Sequence, residues 1–302
     1  MTEAFIREIQ NAAGASQVLL AEPMEKHTTF RIGGPADVFV RPEHTEQIVE
    51  ILRLCREAEV PYFILGNGSN LLVSDAGYRG LILQLDQNYQ KCRQEKETFR
   101  AEAGLLLARL AAMAKEASCT GLEFASGIPG TVGGAVTMNA GAYGGEIKNR
   151  LVSARVLTQE LELRDVKTAD LDLRYRHSRI MEDGWIVLEA EFRLMPGNEE
   201  EIGARMAELR EARQEKQPLE FPSAGSTFKR PEGYFAGKLI MDAGLAGFSI
   251  GDAQVSEKHC GFVINRGHAT AGQVAELIDS VRETVLNRFG VLLEPEVRFL
   301  GF

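Results

Sequence analysis

Between Ser126 and Gly145 the chain carries seven glycines in twenty residues. Glycine adopts positive φ freely and lets a ligand come close to exposed backbone N–H groups. Several such groups in succession, ahead of a helix start, make a cradle for a phosphate or other anion. Pro129 suits a first helical turn, where its missing N–H is no loss. The stretch therefore predicts a loop and then a short helix over a phosphorylated ligand. Ile128, Val132, Val136 and Met138 make it too apolar for a linker, and a tight turn packed into a core is the competing reading. A second glycine turn, Gly66-Asn67-Gly68-Ser69-Asn70-Leu71-Leu72, follows the strand-like Tyr62-Phe63-Ile64-Leu65. It suits phosphate in the same way, but it is not G-x-G-x-x-G and no helix pattern follows it, which excludes a Rossmann dinucleotide turn.

Three side chains outside the glycine runs could act on a substrate. Arg176 lies between Arg174 and Arg179, a crowd of cations that calls for an anion or an acid nearby. A guanidinium offers a fixed fork for a carboxylate and stays charged throughout. Ser226 follows Gly225; alone it reads equally as a turn serine bonding its own backbone. Glu296 shares a strand facing with Glu294, and a solvated strand-end acid is its ordinary explanation. The four cysteines, Cys55, Cys92, Cys119 and Cys260, are far apart with no paired spacing. Neither a disulfide frame nor a metal site is expected from them.

The elements that must position these residues follow from periodicity. Residues 1–22 read as one or two amphipathic helices, a lid or packing arm. Residues 36–40 read as a strand, then comes a helix with Ile48, Ile51, Leu52 and Cys55 on one face. Residues 80–85 and 98–102 read as strands and 104–118 as a helix. Residues 152–158 and 160–164 form a hairpin in this reading, and 185–194 a further strand. A strongly charged helix over 199–217 is stopped by Pro218, a plausible domain junction. The last helix starts at Thr270 with Gln273 as a capping box and presents Val274, Leu277, Ile278, Val281 and Val285 on one face. Residues 293–299 read as a closing strand.

Composition sets bounds. Formal net charge is −9, which argues against a nucleic-acid surface without excluding a local basic pocket. The first residues lack the pattern of a signal peptide, and no apolar run approaches a membrane span. A cytoplasmic protein with no membrane partner is expected.

Six stretches in this order resemble one family, the UDP-N-acetylenolpyruvoylglucosamine reductases. They are Thr29-Phe30-Arg31-Ile32-Gly33-Gly34, Gly66 to Asn70, Ser126 to Gly145, Tyr175-Arg176-His177-Ser178, Ala224 to Lys229, and Glu294-Pro295-Glu296-Val297-Arg298. The resemblance runs from about His27 to Gly301. It implies an α+β fold: two FAD-binding subdomains of the p-cresol methylhydroxylase/vanillyl-alcohol-oxidase type and a C-terminal α+β substrate domain. The corresponding organisation is a helical arm at 1–22, a first FAD-binding subdomain at 23–84 with the terminal strand 293–302, a second at 85–217, and a substrate domain at 218–292. With no long loop between Trp185 and Ser226, the chain looks like the shorter, type II form.

The resemblance also implies NADPH-dependent reduction of UDP-N-acetylglucosamine enolpyruvate to UDP-N-acetylmuramate through non-covalent FAD, in peptidoglycan precursor synthesis; a monomer is expected. Its matching positions make Ser226 the proton donor, Arg176 the residue that holds the substrate carboxylate, and Glu296 the catalytic glutamate. For FAD they mark Thr29, Arg31 and Gly33, then Gly66, Asn67, Gly68, Ser69, Asn70 and Leu71. They also mark Ser126, Gly127, Ile128, Pro129, Gly130, Thr131, Gly133, Gly134, Asn139, Gly141 and Ala142. Backbone N–H groups are expected to dominate there, with side-chain contacts from Asn67, Ser69, Asn70 and Asn139. Tyr175, Lys229 and Asn265 are expected on the substrate, Lys229 first among Lys216, Arg230, Lys238 and Lys258 for the diphosphate. Two alternatives are another FAD oxidoreductase of the same architecture acting on an alcohol or sugar with O₂, and a silent sugar-nucleotide-binding protein that kept the fold.

Overall fold

The apolar spacing of Ile48, Ile51, Leu52 and Cys55 becomes the helix Thr45–Glu57 in a computed structural model that describes residues 1–302. Its buried face meets a first helix, Glu3–Ala13, through Phe5, Ile9 and Ala13. Thr2 caps that helix by accepting from the Phe5 N–H, and Gly14 at φ 88° ends it. After it the chain makes one 3-10 turn, Ala15–Gln17, and then Val18–Pro23 is a strand. Gly14 breaks the helical path and the chain pairs instead, which corrects the all-helical expectation for residues 1–22.

The chain divides into two compact units. The first comprises Met1–Leu20, Val38–Asn67 and Gly80–Arg213; the second comprises Ala21–Asp37, Gly68–Arg79 and Gln214–Phe302. In the first unit, a five-stranded antiparallel sheet runs in the order Leu163–Lys167, Leu151–Leu157, Ile186–Arg193, Thr98–Glu102, Cys92–Glu95. The hairpin is present, but its second strand starts at Leu163 rather than 160, because Thr158 to Leu161 form the turn and Leu161 takes φ 63°. Tyr62–Leu65 pairs in parallel with residues 81–84 of the strand Tyr78–Gln84. The helices Leu107–Glu116 and Val132–Thr137 add Leu107, Leu110, Val132 and Val136 to the core. The charged helix Glu199–Lys216 buries only Ile202, Met206 and Leu209, four and three residues apart.

In the second unit, Arg298–Leu300 pairs in parallel with Leu71–Val73, and Ser249–Ile250, Ala253–Val255 and Val263–Asn265 make a small antiparallel sheet. The helix Ala271–Phe289 has the expected capping box of Thr270 and Gln273 and the expected apolar face. Its first amides, those of Ala271 and Gly272, also donate to the Asp75 carboxylate at 2.8 and 2.9 Å. A carboxylate at a helix start satisfies orphan donors and complements the dipole. No helix of the chain is long and apolar enough to cross a membrane.

Candidate active site

In the first unit the glycine stretch does form a loop and a short helix, Val132–Thr137. Thr131 caps it, its hydroxyl accepting from the Gly134 N–H. The helix start is closed, however, because the Val132 and Gly133 amides donate to the Leu105 and Ala103 carbonyls at 2.8 and 2.9 Å. The amides of Asn67, Gly127, Gly130 and Thr131 instead donate to no acceptor in the protein. The anion cradle is therefore the loop ahead of the helix. The Asn67 side chain braces it by donating to the Pro129 carbonyl at 2.5 Å.

The glycines divide by what surrounds them. A Cβ on Gly66 would stand 2.5 Å from Thr131 Oγ1, and one on Gly133 2.8 Å from the Ala103 Cβ, so both serve close packing. Gly127 and Gly134 are exposed, and Gly134 has only Thr131 Oγ1 nearby, at 3.7 Å. A row of undonated amides beside exposed glycines fits the diphosphate of a dinucleotide. Gly141 and Ala142 pair with Glu146 and Gly145 in a small ladder. Ser126 donates to the Glu123 carbonyl, and Ile128 packs against the core.

Arg176 sits on a two-residue turn closed by reciprocal hydrogen bonds between Arg174 and His177. Its φ is 53°, a conformation that costs a non-glycine residue on the order of 1 kcal/mol and recurs at functional positions. Two anchors hold this turn to the glycine stretch. The Asn139 side chain donates to the Arg174 carbonyl at 3.1 Å, and Ser178 donates to the Thr137 carbonyl at 2.5 Å. Arg174 pairs with Asp172 at 2.6 Å, and Arg179 pairs with Asp183 at 2.9 Å while lying over Trp185. The crowding of cations seen in the sequence is thus relieved on both flanks of Arg176, which lies over the exposed Tyr175 ring. The Glu146 carboxyl is held below its usual range, chiefly by the Lys148 side chain, with Asn139 and Arg176 adding to the effect.

Asn139 departs from its expected part. It is buried at φ 43°, and its side chain bonds Glu146 Oε2, the Arg174 carbonyl and the Lys148 N–H. A carboxamide engaged at that many points acts as a scaffold between the glycine stretch and the Arg176 turn.

In the second unit Thr227 organises the rest. Its hydroxyl accepts from the Val263 N–H at 2.9 Å, its own N–H donates to the Gly261 carbonyl, and its carbonyl accepts from the Glu296 N–H at 2.8 Å. Phe228 bridges Pro295, and the Lys229 N–H reaches the Glu294 carbonyl. The segments carrying Ser226 and Glu296 are thereby zipped together, with Ser226 exposed and Glu296 half-buried. Asn70 joins them by donating to the Glu296 carbonyl at 3.0 Å.

Gly68 must be glycine, since a Cβ would lie 2.0 Å from the His27 carbonyl oxygen at φ 60°. The Thr29 hydroxyl donates to the Ser223 carbonyl at 2.7 Å, and Arg31 turns the chain at φ 53°. A Cβ on Gly33 would crowd Val73, which makes it a packing residue. Leu71 opens the parallel strand pair. The Gly68 and Ser69 amides, like those of the cradle, donate to no protein acceptor. Lys229 pairs with Glu294 at 3.1 Å. Asn265 is buried, donating to the Phe30 carbonyl and accepting from Gly267 and Ala269, so it ties loops together. Arg176 belongs to the first unit and Ser226 and Glu296 to the second.

Comparison with known proteins gives the assignment. Residues 36–166 match the FAD binding domain description, and residues 217–300 match the C-terminal domain of UDP-N-acetylenolpyruvoylglucosamine reductase. A reductase of that name from Agathobacter rectalis is 55% identical over 100% of this chain and 99% of its own length. The chain belongs to the UDP-N-acetylenolpyruvoylglucosamine reductase family. It is accordingly an FAD-dependent oxidoreductase. Another relative of that name, from Lachnoclostridium phytofermentans, is 51% identical over 100% of this chain and 98% of its own length. The crystal structure of the Thermus caldophilus reductase superposes with a TM-score of 0.80 at 35% identity, covering 94% of this chain and 98% of that one. p-Cresol methylhydroxylase matches 65% of this chain and 44% of its own at a TM-score of 0.50 and 17% identity, a likeness of fold. The expected α+β, p-cresol methylhydroxylase-type flavin fold with an added C-terminal domain is the fold observed.

Proposed function

We propose that the chain reduces UDP-N-acetylglucosamine enolpyruvate to UDP-N-acetylmuramate with NADPH, as a cytoplasmic step of peptidoglycan precursor synthesis. FAD, when bound, would supply the redox chemistry, hydride transfer between NADPH and the terminal carbon of the enolpyruvyl ether. The chain supplies the electrostatics and the proton. Hydride addition places negative charge on the adjoining carbon and its carboxylate, which needs a fixed cation. Arg176 is proposed for that part: a guanidinium offers a fixed fork for a carboxylate and stays charged throughout, and its turn is held to the glycine stretch by Asn139 and Ser178. The carbon must then take a proton on one face. Ser226, exposed beside the Thr227 ladder, is proposed as the donor, and Glu296 on the partner segment is proposed to orient the carboxylate or replenish the proton. Lys229 and Tyr175 are proposed to contact the uridine diphosphate part, and the enzyme to work as a monomer without a nucleic-acid or membrane partner.

The observation that carries the residue roles is the hydrogen bond from the Glu296 N–H to the Thr227 carbonyl. It fixes Glu296 within one residue of the Ser226 backbone. Stopped-flow kinetics on Ser226→Ala test the assignment. Loss of the visible flavin band on adding NADPH should keep its wild-type rate, while its return on adding the enolpyruvyl substrate slows by at least a hundredfold. Equal slowing of both phases removes Ser226 as the donor.

A further inference from the structure

Arg213 lies in the last turns of the helix Glu199–Lys216, between the two segments that the family descriptions match. Its guanidinium lies across Gly127, with Nη1 3.1 Å and Cδ 3.2 Å from where a Cβ on that glycine would stand. The side chain is half-buried, yet no carboxylate pairs with it and no acceptor receives its N–H groups. Burial pushes its pKa below the usual guanidinium range, and only the Tyr143 side chain opposes that. A half-buried cation without a partner is an unfavourable arrangement unless something anionic completes it. Other arginines of the same unit show the contrast: Arg205 pairs with Glu208, Arg155 with Asp165 and Arg100 with Glu191.

Its surroundings give the chemistry of the missing partner. Gly127 carries one of the cradle's amides that donate to no protein acceptor, with Asn67, Gly130 and Thr131 supplying others. A guanidinium fork beside such amides matches a phosphoanhydride, which has acceptor oxygens for both and charge to neutralise the cation. We propose that Arg213 is an anion-binding residue of the glycine cradle that receives a nucleotide diphosphate. FAD and the UDP-sugar both carry that group. Gly127 lies inside the segment matched to an FAD binding domain, which favours FAD. The inference rests on the flavoenzyme reading above.

The test uses the purified holoprotein and the variants Arg213→Gln and Arg213→Lys. Two affinities are measured: that for FAD, by fluorescence recovery on reconstituting stripped protein, and that for UDP, by calorimetry on flavin-loaded protein. A charge-assisted hydrogen bond lost to the diphosphate predicts about a ten- to hundredfold weaker FAD affinity in Arg213→Gln, with partial recovery in Arg213→Lys. Riboflavin, which has no diphosphate, should bind both proteins equally. A selective loss of UDP affinity instead assigns the same chemistry to the substrate. Melting of the stripped protein separates a structural part from a binding part. Arg213→Gln should melt no lower than wild type, because it removes an uncompensated charge. A stripped variant that melts lower, or FAD and UDP affinities both within threefold of wild type, overturns the assignment. Wild-type protein that binds neither FAD nor UDP would instead sink the flavoenzyme reading itself.

Discussion

Replacing Thr227 with valine isolates the hydrogen bond that shapes the second unit. The two side chains have nearly the same shape, so the main change is loss of the hydroxyl that accepts from the buried Val263 N–H at 2.9 Å. An amide left buried without a partner costs about 1–3 kcal/mol. For a protein of this size that corresponds to a melting point lower by about 2–12 °C. Thr227→Ser keeps the acceptor and loses one methyl, worth about 1 kcal/mol. Amide exchange at Val263 distinguishes the two directly: it should quicken in Thr227→Val and stay protected in Thr227→Ser. Because the Thr227 carbonyl also receives the Glu296 N–H, the valine variant should lose turnover with the enolpyruvyl substrate while NADPH still reduces the protein. Thr227→Val with unchanged melting and a protected Val263 amide would refute the reasoning.

Two further outcomes follow from packing and burial. Gly66→Ala would put a Cβ 2.5 Å from Thr131 Oγ1, and relieving that contact is expected to cost about 1–3 kcal/mol and loosen the cradle; calorimetric melting and the flavin content of purified protein check both. Burial raises the pKa of all four thiols, that of Cys55 to about 12 and that of Cys92 to about 11. Since the thiolate is the reactive form, labelling with a thiol reagent at pH 8 should be slow in native protein and rapid at all four cysteines once it is unfolded.

Much of this was legible in the chain. The helical spacing of Ile48 to Cys55, the capping box at Thr270 and the glycine loop all express local rules that hold wherever the segment packs. Where local rules compete, sequence was a weaker guide. The N-terminal segment looks helical through residue 22, but Gly14 ends the helix and pairing claims Val18–Pro23. The part played by Asn139 could not be read either, because asparagine serves equally as ligand contact and as scaffold. Only the positions of Arg174, Lys148 and Glu146 around it decide the matter. Thr227 and Arg213 were missed for a related reason. Nothing in their own neighbourhoods signals that one accepts from a residue 36 positions away, or that the other lies over Gly127. A signal did exist for Ser178, which sits in the same motif as Arg176. The backbone strain at Arg31 and Arg176, each at φ 53°, has no sequence signature, since arginine seldom takes that conformation.

The central claim is that this chain uses FAD and NADPH to reduce an enolpyruvyl ether. An anaerobic titration followed by visible absorbance tests it most directly. Purified protein should be yellow, bleach with one equivalent of NADPH, and regain its colour when UDP-N-acetylglucosamine enolpyruvate is added without oxygen. Protein that regains colour only when air is admitted would contradict the account.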